Sequence, residues 1–159
     1  MWGTVGHLMG ARLLSGTYEC SLDSRFRLAV PARLRDAFAG GAVLGRWLDE
    51  GGLILAPSPE WPALIEQNFG DLTVLDEGQR ILRRWVLGGC YEQDLDRQGR
   101  VLVPQELREH AGLTEKAKVV GVGDYLEVWN PEQLDRGLAE LQKEGVSEHA
   151  KRVAASRSA

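Results

Sequence analysis

The stretch Tyr91-Glu92-Gln93-Asp94-Leu95-Asp96-Arg97-Gln98-Gly99-Arg100-Val101-Leu102-Val103-Pro104-Gln105-Glu106-Leu107-Arg108 decides the fold, because a degraded copy of it stands at residues 18–35. That copy reads Tyr18-Glu19-Cys20-Ser21-Leu22-Asp23-Ser24-Arg25-Phe26-Arg27-Leu28-Ala29-Val30-Pro31-Ala32-Arg33-Leu34-Arg35, and at a constant offset of 73 the two runs agree at nine of eighteen positions. Self-similarity of this kind marks an internal repeat and sets the architecture of the whole chain.

Each copy specifies its own local structure. In Asp96-Arg97-Gln98-Gly99 the Asp carboxylate accepts backbone N–H groups at the start of a turn, and Gly stands where a positive φ is needed. Short apolar-alternating runs on both sides predict a hairpin. Val103 precedes a proline and is held extended, while Pro104 suits the first position of a helix, so the strand ends where the helix begins. Leu107 and Ala111 fall on one helical face, as do Leu34 and Phe38 after Pro31.

Outward from the copies, Ala42 to Leu48 and Leu53 to Ala56 read as two strands around Asp49-Glu50-Gly51-Gly52. Ser58-Pro59 is expected to cap a helix reaching about Asn68. A second helix from about Leu75 to Leu87, with the stripe Ile81, Leu82, Trp85 and Val86, completes an αα-hairpin. After the second copy the same plan returns: strands at Lys118 to Val122 and Tyr125 to Trp129, then Asn130-Pro131 as the cap of a helix carrying Leu134, Leu138 and Leu141. The expected organisation is a flexible extension at 1–14, a first half at 15–60, a linking helical hairpin at 61–88, a second half with its C-terminal helix at 89–143, and a flexible tail at 144–159. Two halves too small for separate cores are expected to pair about a pseudo-two-fold axis with their hairpins intertwined, giving a β core with peripheral helices.

Composition excludes several classes. At 159 residues and 43% hydrophobic, the chain supports one core of ordinary size. No run approaches the roughly 18 apolar residues of a membrane span, and the N-terminal residues make a poor secretory signal, so a cytoplasmic protein is expected. Cys20 and Cys90 are isolated thiols, read as strand residues rather than metal ligands. His7, His110 and His149 are scattered, no nucleotide-binding or nucleophile motif is present, and Asp49-Glu50 and Asp94-Leu95-Asp96 are explained by turns. No enzyme, cofactor or metal is therefore expected. The net charge of −4 conceals an asymmetry: residues 1–48 hold six Arg against three acids, a balance of +3, and the remainder carries −7. A local basic surface on an acidic body still attracts phosphates over a Debye length of about 8 Å.

Arg27 and Arg100 attract attention because each directly follows a turn in both copies. In one reading their guanidinium forks project from the turn toward phosphates or a guanine edge. In the other, each pairs with the Asp four residues earlier, Asp23 or Asp96, and holds the turn. Arg25 stands at the first tip, Arg33 and Arg35 follow on the first short helix, and Arg80, Arg83 and Arg84 form a further basic patch facing solvent or a neighbouring subunit. Four of the five Trp lie in predicted elements and are expected in the core or a subunit contact.

The doubled D-x-x-[GF]-R-x-x-[VI]-P-x-x-L-R element, the Gly16-Thr17-Tyr18 lead-in, Leu87-Gly88-Gly89, Gly121-Val122-Gly123-Asp124 and Glu127-Val128-Trp129 together resemble the MraZ family of bacterial transcriptional regulators. The likeness covers roughly residues 14 to 142. It implies an α+β chain built as a duplicated swapped-hairpin AbrB-like β-barrel with peripheral helices, assembling into ring-shaped homo-oligomers. It also implies binding to double-stranded DNA at promoter direct repeats upstream of the division and cell-wall gene cluster, on the nucleoid. By motif position the DNA-contacting residues fall on Arg25, Arg27 and Arg100. Arg97, at the second tip, and Arg33 complete the candidate DNA-binding set around the turn residues Asp23, Phe26, Asp96 and Gly99. Two departures stand out. Residues up to about Leu13 are unlike the family, and Phe26 occupies a position where the family has Gly, at an expected strain of about 1 to 3 kcal/mol. An alternative from another class is an antitoxin-like protein–protein module of the same fold, working through residues 144–159.

Overall fold

Alternating apolar and polar residues in the repeat leave each strand one face to bury, and strands from the two copies cover each other. The computed structural model describes residues 13–70 and 74–158; the expected N-terminal extension lies largely outside the described residues. In chain order come β1 (Leu14–Ser21), β2 (Arg27–Ala29), a 3-10 helix (Ala32–Phe38), β3 (Ala42–Arg46) and β4 (Leu53–Pro57). A 3-10 turn (Ser58–Glu60) leads into α1 (Trp61–Phe69), followed by α2 (Glu77–Leu87). The second copy gives β5 (Cys90–Gln93), β6 (Arg100–Leu102), α3 (Gln105–Ala111), β7 (Lys116–Gly123), β8 (Leu126–Trp129) and α4 (Pro131–Glu144), and α5 (Val146–Arg157) follows.

The expected α+β class is the one observed. Six strands are hydrogen-bonded in the order β1-β7-β8-β4-β3-β5, and β2 and β6 form a separate two-stranded ribbon, so the described strands make an open sheet and a ribbon rather than one closed barrel. The hairpins are exchanged between copies. Apart from the single bridge Leu22↔Leu28, β1 leaves β2 and pairs with β7 of the other copy, and β5 likewise pairs with β3. In the ribbon Leu28 lies opposite Val101, and in the sheet Ile54 lies opposite Glu127. Both pairs are separated by the repeat offset of 73, so the pseudo-two-fold axis passes between them.

This exchange builds a shared core: Leu28, Val30, Leu34 and Phe38 pack with Val101, Val103, Leu107 and Ala111. A second cluster of Trp47, Ile54, Ala56, Leu64 and Val86 sits under α1 and α2. Of the described tryptophans, Trp47 is buried, whereas Trp85 keeps 38% of its surface exposed and donates from Nε1 to the Trp47 carbonyl at 2.9 Å.

The first short helix is 3-10 and its counterpart α-helical, for a local reason. Gly112 takes a left-handed conformation (φ 64) that closes α3 onto the Arg108 and Glu109 carbonyls. The equivalent residue is Ala39, which stays right-handed (φ −59) and bonds to Asp36, so the helix tightens. Two expectations are corrected. Ser58 makes no capping bond. Residues 146–157, read as a flexible tail, form α5: the segment has no Gly or Pro after Gly145 and carries the pair Lys151 Nζ to Glu148 Oε1 at 3.3 Å.

Candidate nucleic-acid interface

The two turns are superposable bond for bond. In the first, Asp23 Oδ1 accepts from the backbone N–H of Arg25 and of Arg27, both at 2.9 Å. In the second, Asp96 Oδ1 accepts from Gln98 at 2.9 Å and Arg100 at 3.0 Å. Backbone bonds close each loop: Phe26 donates to Asp23, and Gly99 to Asp96, at 2.9 Å in both cases. That geometry requires a left-handed residue before the arginine. Gly99 meets it at φ 74; Phe26 meets it at φ 62, the one non-glycine with positive φ among the described residues.

Pairing β2 with β6 brings the turns side by side, and their charges interlock. Arg27 Nε donates to Asp23 Oδ2 at 2.9 Å and its Nη1 lies 3.7 Å from Asp96 Oδ2. Arg100 Nε donates to Asp96 Oδ2 at 2.8 Å and its Nη1 to Asp23 Oδ2 at 3.3 Å. The result is a ring of two carboxylates and two guanidiniums across the pseudo-axis. Each arginine pairs with the Asp of its own turn, as one of the two readings of the sequence had it, and also with the Asp of the other turn, which neither reading foresaw. Their side chains retain 29% and 24% of their surface in water, so neither pair is sealed from solvent.

The carboxylates are tuned accordingly. Asp23 is held below the ordinary aspartate range, chiefly by the Arg27 backbone N–H, with partial desolvation working the other way and Arg25 and the Arg27 guanidinium assisting. For Asp96 partial desolvation is the largest influence and pulls upward; the Arg100 backbone and side chain and the Gln98 N–H together outweigh it, and the net shift is downward.

A further pair of arginines, Arg35 and its repeat equivalent Arg108, ties the copies together. Arg35 Nε donates to the Val30 carbonyl at 2.8 Å, and Arg108 Nη1 donates to the carbonyl of Val103, its repeat equivalent. Arg35 lies against the α-carbon of Gly99, where an added Cβ would overlap its guanidinium. The Arg108 guanidinium stacks on the Phe26 ring, 3.6 Å from the centroid. Each helix arginine thus packs on the turn of the opposite copy. A signal for this role was present in the sequence, since both residues recur at the repeat offset.

Of the remaining candidates, Arg25 and Arg97 are exposed at the two tips, flanking the ring, and Arg33 is exposed on the 3-10 helix. The second copy has Gln98 and Glu106 at the positions equivalent to Arg25 and Arg33, and the first has Ser24 at the position equivalent to Arg97. Among the described residues, each tip therefore carries one exposed arginine outside the ring of ion pairs.

Fold and site together define a class: internally duplicated, strand-exchanged α+β proteins whose two turns are cross-tied about a pseudo-dyad. Comparison with known proteins narrows it. A family model described as "MraZ protein, putative antitoxin-like" matches residues 13–69 and 86–157. The chain is 42% identical over 132 residues to the transcriptional regulator MraZ of Thermomicrobium roseum, covering 83% of this chain and 92% of that protein. It is 38% identical over 126 residues to that of Roseiflexus castenholzii, covering 79% and 87%, and 35% identical over 136 residues to that of Herpetosiphon aurantiacus, covering 84% and 94%. The chain belongs to the MraZ family.

Proposed function

We propose that this protein is a DNA-binding regulator of transcription that acts on promoter direct repeats of the division and cell-wall gene cluster, on the nucleoid. The observation that carries this reading is the doubled turn: two exposed tip arginines, Arg25 and Arg97, flank a pair of guanidinium forks fixed by Asp23 and Asp96. The names of the relatives, transcriptional regulators, support it. Arg25, Arg97 and Arg33 supply phosphate attraction. Arg27 and Arg100 present donors whose orientation is set before binding, which lowers the ordering cost of a bidentate contact.

One such face is a weak ligand for a duplex, and repeated sites call for repeated subunits. Ile81, Leu82 and Trp85 on α2 are 52%, 41% and 38% exposed, an apolar stripe suited to a contact between copies in a ring. Assembly raises the effective concentration of each successive face at a direct repeat.

The test is a mobility shift on the promoter fragment upstream of the protein's own operon. Arg25→Ala with Arg97→Ala weakens binding at every salt concentration, and the slope of log affinity against log salt becomes shallower by about 0.9 for each phosphate no longer neutralised. Binding indifferent to these substitutions and to salt overturns the reading. A second reading is favoured by α5, which leaves Val146 and Val153 exposed at 55% and 48% on one helical face with Ala150 and Ala154: an antitoxin-like segment that grips a protein partner. Deletion of residues 146–159 leaves DNA binding intact under the first reading and abolishes a toxin complex under the second.

A further inference from the structure

Phe26 stands between Arg25 and Arg27 in a conformation that disfavours bulky side chains. Its φ is 62, yet the residue is 43% exposed and is absent from both core clusters. Gly99 holds the equivalent place with the same backbone bonds, so the turn itself needs no side chain there. The ring joins no core cluster and its stack on Arg108 does no more than offset the strain, so the side chain gains the fold nothing over glycine and points to a role outside folding. The Arg108 guanidinium covers one face of the ring at 3.6 Å and fixes its orientation.

We infer that Phe26 is a specificity-determining contact, its free face and edge meeting a thymine methyl group in the major groove of the bound duplex. The inference rests on the DNA-binding reading above and deepens it. Apolar contact with the thymine methyl is the way a hydrocarbon side chain reads a base edge. Wedging between base steps is disfavoured here, because a wedge needs the face that Arg108 already covers. The first turn then carries sequence discrimination, and the second, with Gly99, follows the backbone.

The experiment measures binding to three duplexes of equal length: the promoter fragment, the same fragment with deoxyuridine in place of thymidine, and a scrambled sequence. Wild-type protein is expected to lose about tenfold in affinity on the deoxyuridine fragment, the scale of one missing base contact. Phe26→Gly is about tenfold weaker on the promoter, equal to wild type on the scrambled duplex, and indifferent to deoxyuridine. Phe26→Asn, whose side chain tolerates the left-handed conformation, gives the same pattern and guards against a folding defect specific to glycine. Full promoter preference in both variants, or a wild-type preference that survives removal of the methyl groups, overturns the proposal while leaving DNA binding in place. Wild-type protein that binds none of the three duplexes overturns both.

Discussion

At the first turn the left-handed position is held by Phe26, at the second by Gly99, and the backbone between Asp and Arg is nevertheless the same in both. The opposite copy's helix arginine accommodates the difference: Arg108 lies flat on a ring, whereas Arg35 closes onto a bare α-carbon. The shared dihedral is therefore a demand of the exchanged fold. What each copy places on it is free to diverge, provided the facing arginine follows. Duplication within one chain allows such divergence, because a mutation alters one half of the dyad and not both.

The largest test of the shared dyad lies in the ribbon. Leu28 and Val101 face each other across it, both at 0% exposure. Leu28→Ala is expected to cost about 2 to 5 kcal/mol in urea unfolding, and Val101→Ala less, since fewer buried groups are removed. Two separate transitions in either variant would mean that the halves fold independently and that the exchanged core does not unite them.

Next in size is an exchange of turn character. Gly99→Ala places a methyl at φ 74 against Arg35 and is expected to cost about 1 to 3 kcal/mol. Phe26→Gly relieves strain and forfeits a stack of similar size, so its urea midpoint stays close to wild type. Equal, negligible effects at both positions would show that Arg35 has room to withdraw and that the asymmetry between the turns is without energetic consequence.

Much of this was legible in the residues. The 73-residue offset located both turns, the Pro-led helices and the core positions Leu34, Phe38, Leu107 and Ala111. The strand partners were less so, because alternation tells a strand which face to bury and not which strand lies beside it. The D-x-x-x-R spacing left Arg27 and Arg100 with two readings, since a guanidinium reaches its own Asp or a phosphate equally well; only the approach of the other copy's carboxylate decides the geometry. The repeat offset marks Arg35 and Arg108 as a pair, but helical periodicity reports only a face and not the turn of the other copy that the face meets.

Acid probes the ring that joins the turns. Asp23 and Asp96 are both held below the ordinary aspartate value, so the unfolded chain binds more protons than the folded one as pH falls through roughly 4. The stability they supply is complete above that range and is lost as pH drops through their lowered folded values. Asp23→Asn with Asp96→Asn should flatten the dependence of the urea midpoint on pH below about 5, while single substitutions flatten it in part. The effect is smaller than that of the core substitution, because all four side chains keep about a quarter to a third of their surface in water. An unchanged pH profile in the double variant would assign acid lability to other carboxylates.

The smallest contrast concerns two motifs that look alike in sequence. Ser58-Pro59-Glu60 and Asn130-Pro131-Glu132 are repeat counterparts, yet only the second caps its helix. Asn130 Oδ1 accepts from the backbone of Glu132 at 3.0 Å and Gln133 at 3.2 Å, and its Nδ2 donates to the Gly112 carbonyl at 2.8 Å, which ties α4 to the end of α3. The Ser58 hydroxyl is buried and finds no partner among the described residues. Asn130→Ala is therefore expected to cost about 1 to 2 kcal/mol, and Ser58→Ala to be neutral or slightly stabilising, because it removes a buried polar atom that bonds to nothing. Thermal melts of the two variants side by side decide the matter. If Ser58→Ala proves the more damaging, its hydroxyl has a partner in the assembled protein, and the two ends of the repeat are more alike than the single chain shows.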